Sequence, residues 1–173
     1  MNQSLLLLII PFVSAIVIHF LLKQKLATIA SVLGTLATAA TLAIAYLQLS
    51  STATVEPFVW ASVGDFKIEI GLELDQLSKG MMIVVTGIGL LVHIFSLGYM
   101  KNDDAKARYF GNLSLFMFSM TGIVLASNFV MMFIFWELVG LSSYLLIAPW
   151  YQKDSAADAA KKAFLSSRVG AFG

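Results

Sequence analysis

The chain has 173 residues, 59% of them apolar and 12% charged, with a mean hydropathy of +0.87. Soluble domains carry about 25% charged residues, so ten acids and eleven bases cannot clothe a water-soluble enzyme of this size. The composition also excludes disorder, a net charge of +1 leaves no nucleic-acid footprint, and the absence of cysteine removes disulfides, thiolate metal sites, iron–sulfur clusters and thiol nucleophiles. An integral membrane protein remains.

Taken in order, the first apolar stretch covers 5–22 and is closed by Lys23 and Lys25. It has neither the basic leading region nor the small-residue cleavage pattern of a signal peptide. A second span, rich in Ala and Thr, covers 26–47, and its small residues Thr28, Ser31, Thr35, Thr38 and Thr41 suit close helix packing or, on a sharper reading, the lining of a water path. Then the period changes. Phe66-Lys67-Ile68-Glu69-Ile70 alternates apolar and charged residues, and Gly64-Asp65 is a turn signal, so 58–75 is expected to form a small β-hairpin in the water phase. Further spans are expected at 77–99, 109–126 and 129–151, with the start of a sixth at 156–173. No linker or internal repeat divides the chain. The expected fold is therefore an all-α polytopic membrane protein, a single domain of five transmembrane helices plus the start of a sixth, with an extracytoplasmic hairpin between the second and third.

Orientation follows from the distribution of Lys and Arg. Lys23, Lys25, Lys101, Lys106, Arg108, Lys153, Lys161 and Lys162 fall on one side, and only Lys67 and Lys79 on the other. The bias places the N-terminus outside and the hairpin on the outer face of an inner (plasma) membrane, or of an organellar inner membrane in a eukaryote.

Glu137 is the most informative residue. It lies roughly 12 Å along an apolar helix, near mid-membrane. An acid there costs about 2.5–3.5 kcal/mol on insertion scales, which points to a proton-carrying or ion-pairing carboxylate; the alternative is a structural acid that is simply neutral or paired. Gly140 and Tyr144 share its face. His93 shares a helical face with Thr86, Gly89 and Ser96, small and polar, so it is expected to face protein, as a relay or as a satisfied buried histidine. His19 is expected at the interface. Arg168 lies deeper than Lys161 and Lys162, which are placed to snorkel to the inner surface, and it needs a carboxylate partner. Lys162 is the remaining charged candidate. No metal-ligand spacing, P-loop, nucleophile elbow or dinucleotide fingerprint is present.

Several runs carry a resemblance: Leu74-Asp75-Gln76-Leu77-Ser78, the stretch His93 to Met100, Arg108-Tyr109-Phe110, the stretch Leu113 to Met120, Trp136-Glu137-Leu138-Val139-Gly140 and its continuation to Ile147, Ala160 to Leu165, and Arg168-Val169-Gly170. Together they resemble the antiporter-like subunit L (chain 5) family of proton-pumping NADH:quinone oxidoreductase, respiratory complex I. The resemblance covers about 100 residues by sequence and the first 73 by layout. It implies the N-terminal part of a longer subunit built on inverted repeats, which couples quinone reduction in the respiratory chain to proton translocation. It also implies a lysine on a seventh helix, beyond residue 173, facing Glu137. No cofactor is expected in this chain: NADH, flavin, iron–sulfur clusters and quinone would belong to partner subunits. The expected partners are other membrane subunits of complex I and the lipid bilayer, with no nucleic acid. Related subunits occur in multisubunit cation/proton antiporters and membrane-bound hydrogenases, and a non-transporting structural fragment is the third reading. Three positions depart from the family pattern. Ala171 stands where an acid is usual, leaving Arg168 without that carboxylate; Ser142 stands where cysteine is frequent; and Ala148-Pro149 replaces a Gly-aromatic pair.

Overall fold

A computed structural model describes residues 3–21, 26–50, 55–63, 66–147, 158, 161–162, 165–166 and 168–170. Five helices are described: α1 (Gln3–Leu21), α2 (Ala27–Leu47), α3 (Gln76–Tyr99), α4 (Lys106–Leu125) and α5 (Phe129–Ile147). Strands β1 (Val55–Val63) and β2 (Phe66–Leu72) lie between α2 and α3 and pair antiparallel. By length and composition, α2, α3 and α5 can each cross a membrane, while the apolar run of α1 is shorter.

α4 is the hub, packing against α1, α2, α3 and α5. Its polar side chains are turned inward: Asn112, Ser114, Ser119 and Thr121 are all buried. That is the arrangement expected where the surroundings offer no water and small or polar residues hold helices together. Glycines on α4 set the approach distances. A Cβ on Gly111 would sit 2.6 Å from Nδ1 of His19 on α1, and a Cβ on Gly122 would collide with the Phe135 ring on α5.

The helices run alternately up and down. Leu7 near the start of α1, Ala45 near the end of α2, Met82 early in α3, Leu125 at the end of α4 and Met131 early in α5 form one buried cluster with Leu72 at the end of the hairpin and Leu74 just after it. The opposite ends meet elsewhere, at Ile18, Ala30 and Ala107. The hairpin is stitched to the first end: Glu73 donates its N–H to Leu125 O at 3.0 Å, and Leu72 bridges to Ala126.

Element boundaries differ from the sequence expectation most at the hairpin and at the start of α4. The hairpin spans 55–72 rather than 58–75, because Asp75 is the N-cap of α3 and accepts from Ser78 N at 2.7 Å. Its ladder is irregular between Val55 and Phe58, around Pro57, which has no N–H to give. α4 begins at Lys106 rather than 109. Asp103 accepts the N–H of Ala105 at 2.7 Å and starts the turn, while charged residues in the first helical turn hide it from a hydropathy reading. α5 is described to Ile147, and the expected continuation to 151 lies outside the described residues. The sixth segment is helical at its described positions.

Candidate functional site

Glu137 sits in the middle of α5, between apolar turns on both sides. Nothing within α5 neutralises it. The sixth segment does: Arg168 Nη2 lies 3.3 Å from Glu137 Oε2. The carboxylate side chain is 22% exposed and the guanidinium 50%. At an effective dielectric of about 20, two charges at that distance attract by roughly 5 kcal/mol. Desolvation of the ions, several kcal/mol each when fully buried, offsets most of this. The pairing therefore compensates for the charge in α5 more than it stabilises the fold. Arg168, expected to need a carboxylate partner and lacking the usual acid at position 171, has one in Glu137, 31 positions earlier. Ala171 itself lies outside the described residues.

One and two turns further along α5, Leu141 and Tyr144 line a cavity of about 380 Å³ together with Lys161 and Leu165 of the sixth segment. Lys161 thus borders the cavity on the α5 side, and both Lys161 and Lys162 are exposed. Gly140, on the Glu137 face, is buried.

His93 stands apart from this pair. It is completely buried on α3, and Thr86, Gly89 and Ser96 on the same face are buried with it, in keeping with their spacing. Its Nδ1 donates to Gly89 O at 2.8 Å, and its Nε2 lies 3.4 Å from Thr38 Oγ1 on α2. The Phe110 ring of α4 lies against it at a centroid separation of 5.9 Å.

Several contacts are not legible from sequence. Asn112 is 2% exposed; its Oδ1 is 2.9 Å from His19 Nε2, and its Nδ2 donates to Leu145 O at 2.6 Å, so it ties α1, α4 and α5 together. An asparagine inside an apolar span is itself the signal, since a buried amide without partners costs a few kcal/mol. His19 is therefore a packing contact of α4 and not merely an interfacial residue. Lys79, expected among the outer-side surface charges, is 3% exposed on the buried face of α3. Thr38, expected to pack closely or to line a water path, meets an imidazole. Outside the spans, hydrogen bonds from the Ser78 backbone and hydroxyl hold the Asp75 carboxyl below its ordinary pKa of 3.8.

Residues 60–110 match the family described as NADH-ubiquinone oxidoreductase (complex I), chain 5 N-terminus. Residues 126–173 match NADH:quinone oxidoreductase/Mrp antiporter, TM. The chain belongs to the subunit L (chain 5) family of antiporter-like membrane subunits. NADH-quinone oxidoreductase subunit L of Mycobacterium tuberculosis is 49% identical over 116 residues, covering 67% of this chain and 18% of that protein. NAD(P)H-quinone oxidoreductase chain 5 of Synechocystis is 51% identical over 114 residues, covering 66% and 17%. The chloroplastic subunit 5 of Mesostigma viride is 44% identical over 131 residues, covering 75% and 20%. The chain thus spans about a fifth of the length of the curated relatives it matches. A chain of the membrane-bound sulfane sulfur reductase, an archaeal respiratory membrane complex, superposes over 98% of this chain and 35% of its own length with a TM-score of 0.74. At 22% identity that likeness speaks for the fold alone. Among subunit L-type features, the Leu74–Ser78 run now has a physical meaning, the cap of α3, and the tryptophan–glutamate run positions the acid of the ion pair.

Proposed function

We propose that this chain is part of a proton-translocating membrane subunit of an NADH:quinone oxidoreductase, coupling quinone reduction in partner subunits to proton movement across the membrane. The observation that carries the proposal is an acid in mid-helix of α5 whose neutralising charge comes from another segment, Arg168. A carboxylate held by a separate cation changes its proton affinity whenever that cation moves or is shared, through both charge and desolvation. In this mechanism Glu137 alternates between an ionised state paired with a cation and a protonated state. Arg168 is one partner, and the family resemblance implies a lysine on a later helix as the other. His93 serves as a separate relay, and Lys161 and Lys162 gather protons or anchor the sixth segment at the inner surface.

The working topology has five spans and the start of a sixth, the N-terminus outside, and the hairpin on the outer face of an inner membrane against neighbouring subunits. Flavin, iron–sulfur and quinone chemistry belongs to those neighbours, and without cysteine this chain offers no thiolate for a cluster.

A second reading, a subunit of a cation/proton antiporter, has one specific support: the family matched by residues 126–173 carries both names. The full-length subunit purified with its native partners and placed in vesicles separates the two. NADH-driven proton uptake that stops when quinone reduction is inhibited is the expected result. Proton flux driven only by an imposed sodium gradient, with no NADH oxidation by the purified assembly, would replace the proposal with the antiporter.

A further inference from the structure

We infer that His93 and Thr38 form a single proton-holding pair between α2 and α3, in which the threonine hydroxyl is what lets the buried imidazole carry a second proton. The inference rests on the proton-translocating reading above and sharpens the part played by His93.

The hydrogen count carries it. Nδ1 of His93 is 2.8 Å from the carbonyl oxygen of Gly89, so Nδ1 must bear a hydrogen. In a neutral ring Nε2 is then a bare lone pair. It faces Thr38 Oγ1 at 3.4 Å, and the single hydroxyl hydrogen of Thr38 has a nearer acceptor in Gly34 O at 3.0 Å. With the hydroxyl on that nearer acceptor, two lone pairs face each other in a site where both residues are 0–1% exposed. A proton added at Nε2 resolves the mismatch: N–H donates to Oγ1, Thr38 keeps its bond to Gly34 O, and every polar atom of the pair is satisfied. The only other solution turns the hydroxyl from Gly34 O to Nε2, exchanging one bond for another. The same heavy atoms therefore make one hydrogen bond more with the protonated ring than with the neutral one, and that bond offsets part of the cost of burying the charge.

The pair also has an approach. Ser96, one turn along α3 from His93, has its Oγ 3.1 Å from the hydroxyl of Tyr109 in the first turn of α4. Lys106 and Arg108 share that turn, so the Ser96–Tyr109 contact, one turn of α3 from His93, lies at the basic end of the bundle. Within its length α2 carries no acid or base apart from Tyr46, and the titratable groups of α4 are these three. On α3 itself the others are Lys79, three to four turns away, and Tyr99.

Thr38 is a positioning residue, and its test must read more than assembly. In the full-length subunit within its complex, Thr38→Val and Thr38→Ala remove the hydroxyl, and Thr38→Ser retains it. The expected result is normal assembly for all three, with the pH profile of proton pumping moved toward acid by about one unit in the hydroxyl-free variants, a charge-assisted hydrogen bond being worth about that much. The Ser variant should follow the parent. An unchanged profile in both Val and Ala overturns the inference, as does a profile in which Ser behaves like Ala. If the parent complex pumps no protons, the underlying functional reading fails; if it pumps and responds at Glu137 while the Thr38 series is flat, only the pair fails.

Discussion

At the scale of single residues, the chemistry concentrates where a charge sits against the grain of its helix. Glu137 is such a residue, and Arg168 is its counterweight at 3.3 Å. Removing one partner of a pair leaves the other charge uncompensated, which costs more than the net worth of the pair. Arg168→Leu is therefore expected to lower the amount of assembled complex, or to leave it assembled with Glu137 held neutral and pumping depressed. Arg168→Lys, which restores the charge without the planar fork, should recover most of both. Quantifying assembled complex beside proton translocation checks this, and a fully active Arg168→Leu complex would show that the pairing does not matter. Glu137 is legible in the sequence because an acid in an apolar run of nineteen residues carries a burial cost that calls for a partner or a proton. Its partner is not, since the contact joins segments 31 positions apart. His93 is legible through the 86, 89, 93, 96 spacing. Thr38 is not, because the same pattern of threonines also serves packing, and only the geometry separates the two uses.

At the scale of elements, ends and crossings decide what tolerates change. Asp75 caps α3 through the Ser78 N–H, and its folded pKa is lowered from 3.8 by that bond. A lowered carboxyl pKa means stability that is present above the unfolded value and lost as pH falls through the folded one. The first turn of α3 should therefore loosen only below about pH 4, the unperturbed carboxyl range. Asp75→Ala should loosen it at every pH, while Asp75→Asn, an equally good cap, should hold it and lose the acid sensitivity. Hydrogen exchange at the α3 amides reads this directly. Crossings are set by glycine. Gly122→Ala places a methyl group into the Phe135 ring and should cost about 1–3 kcal/mol as overpacking. Gly89→Ala meets the flexible Met117 side chain and should cost less. Thermal unfolding in detergent ranks the two, and equal losses would contradict the packing described. Period and hydropathy locate every described helix and the hairpin. They misjudge the ends where charge and helix coincide, at Lys106, and where a capping acid resembles a strand residue, at Asp75.

At the scale of the whole molecule, five helices alternate so that one set of ends meets the hairpin at Leu72, Leu74 and Leu125 and the other set gathers at Ile18, Ala30 and Ala107. Combined with the lysine and arginine bias, this is the arrangement from which we propose that the hairpin lies outside. Single cysteines at Lys67 and Glu69 in the otherwise cysteine-free chain should react with an impermeant reagent added to intact cells. Labelling only after the cytoplasmic side is opened would invert the topology. Lys79 warns against counting charges alone, since its sequence position suggests a surface lysine and it is buried. The central claim, that the fold exists to hold a titratable acid in the membrane and let it exchange protons, is tested most directly by Glu137→Gln in the full-length subunit, with Glu137→Asp beside it. Gln keeps size and hydrogen-bonding capacity but carries no exchangeable acid proton, and Asp keeps the proton at shorter reach. The measurement is protons translocated per NADH oxidised in vesicles, normalised to assembled complex. The account predicts a strong loss for Gln in an assembled complex and substantial retention for Asp; normal proton pumping by an assembled Glu137→Gln complex would contradict it.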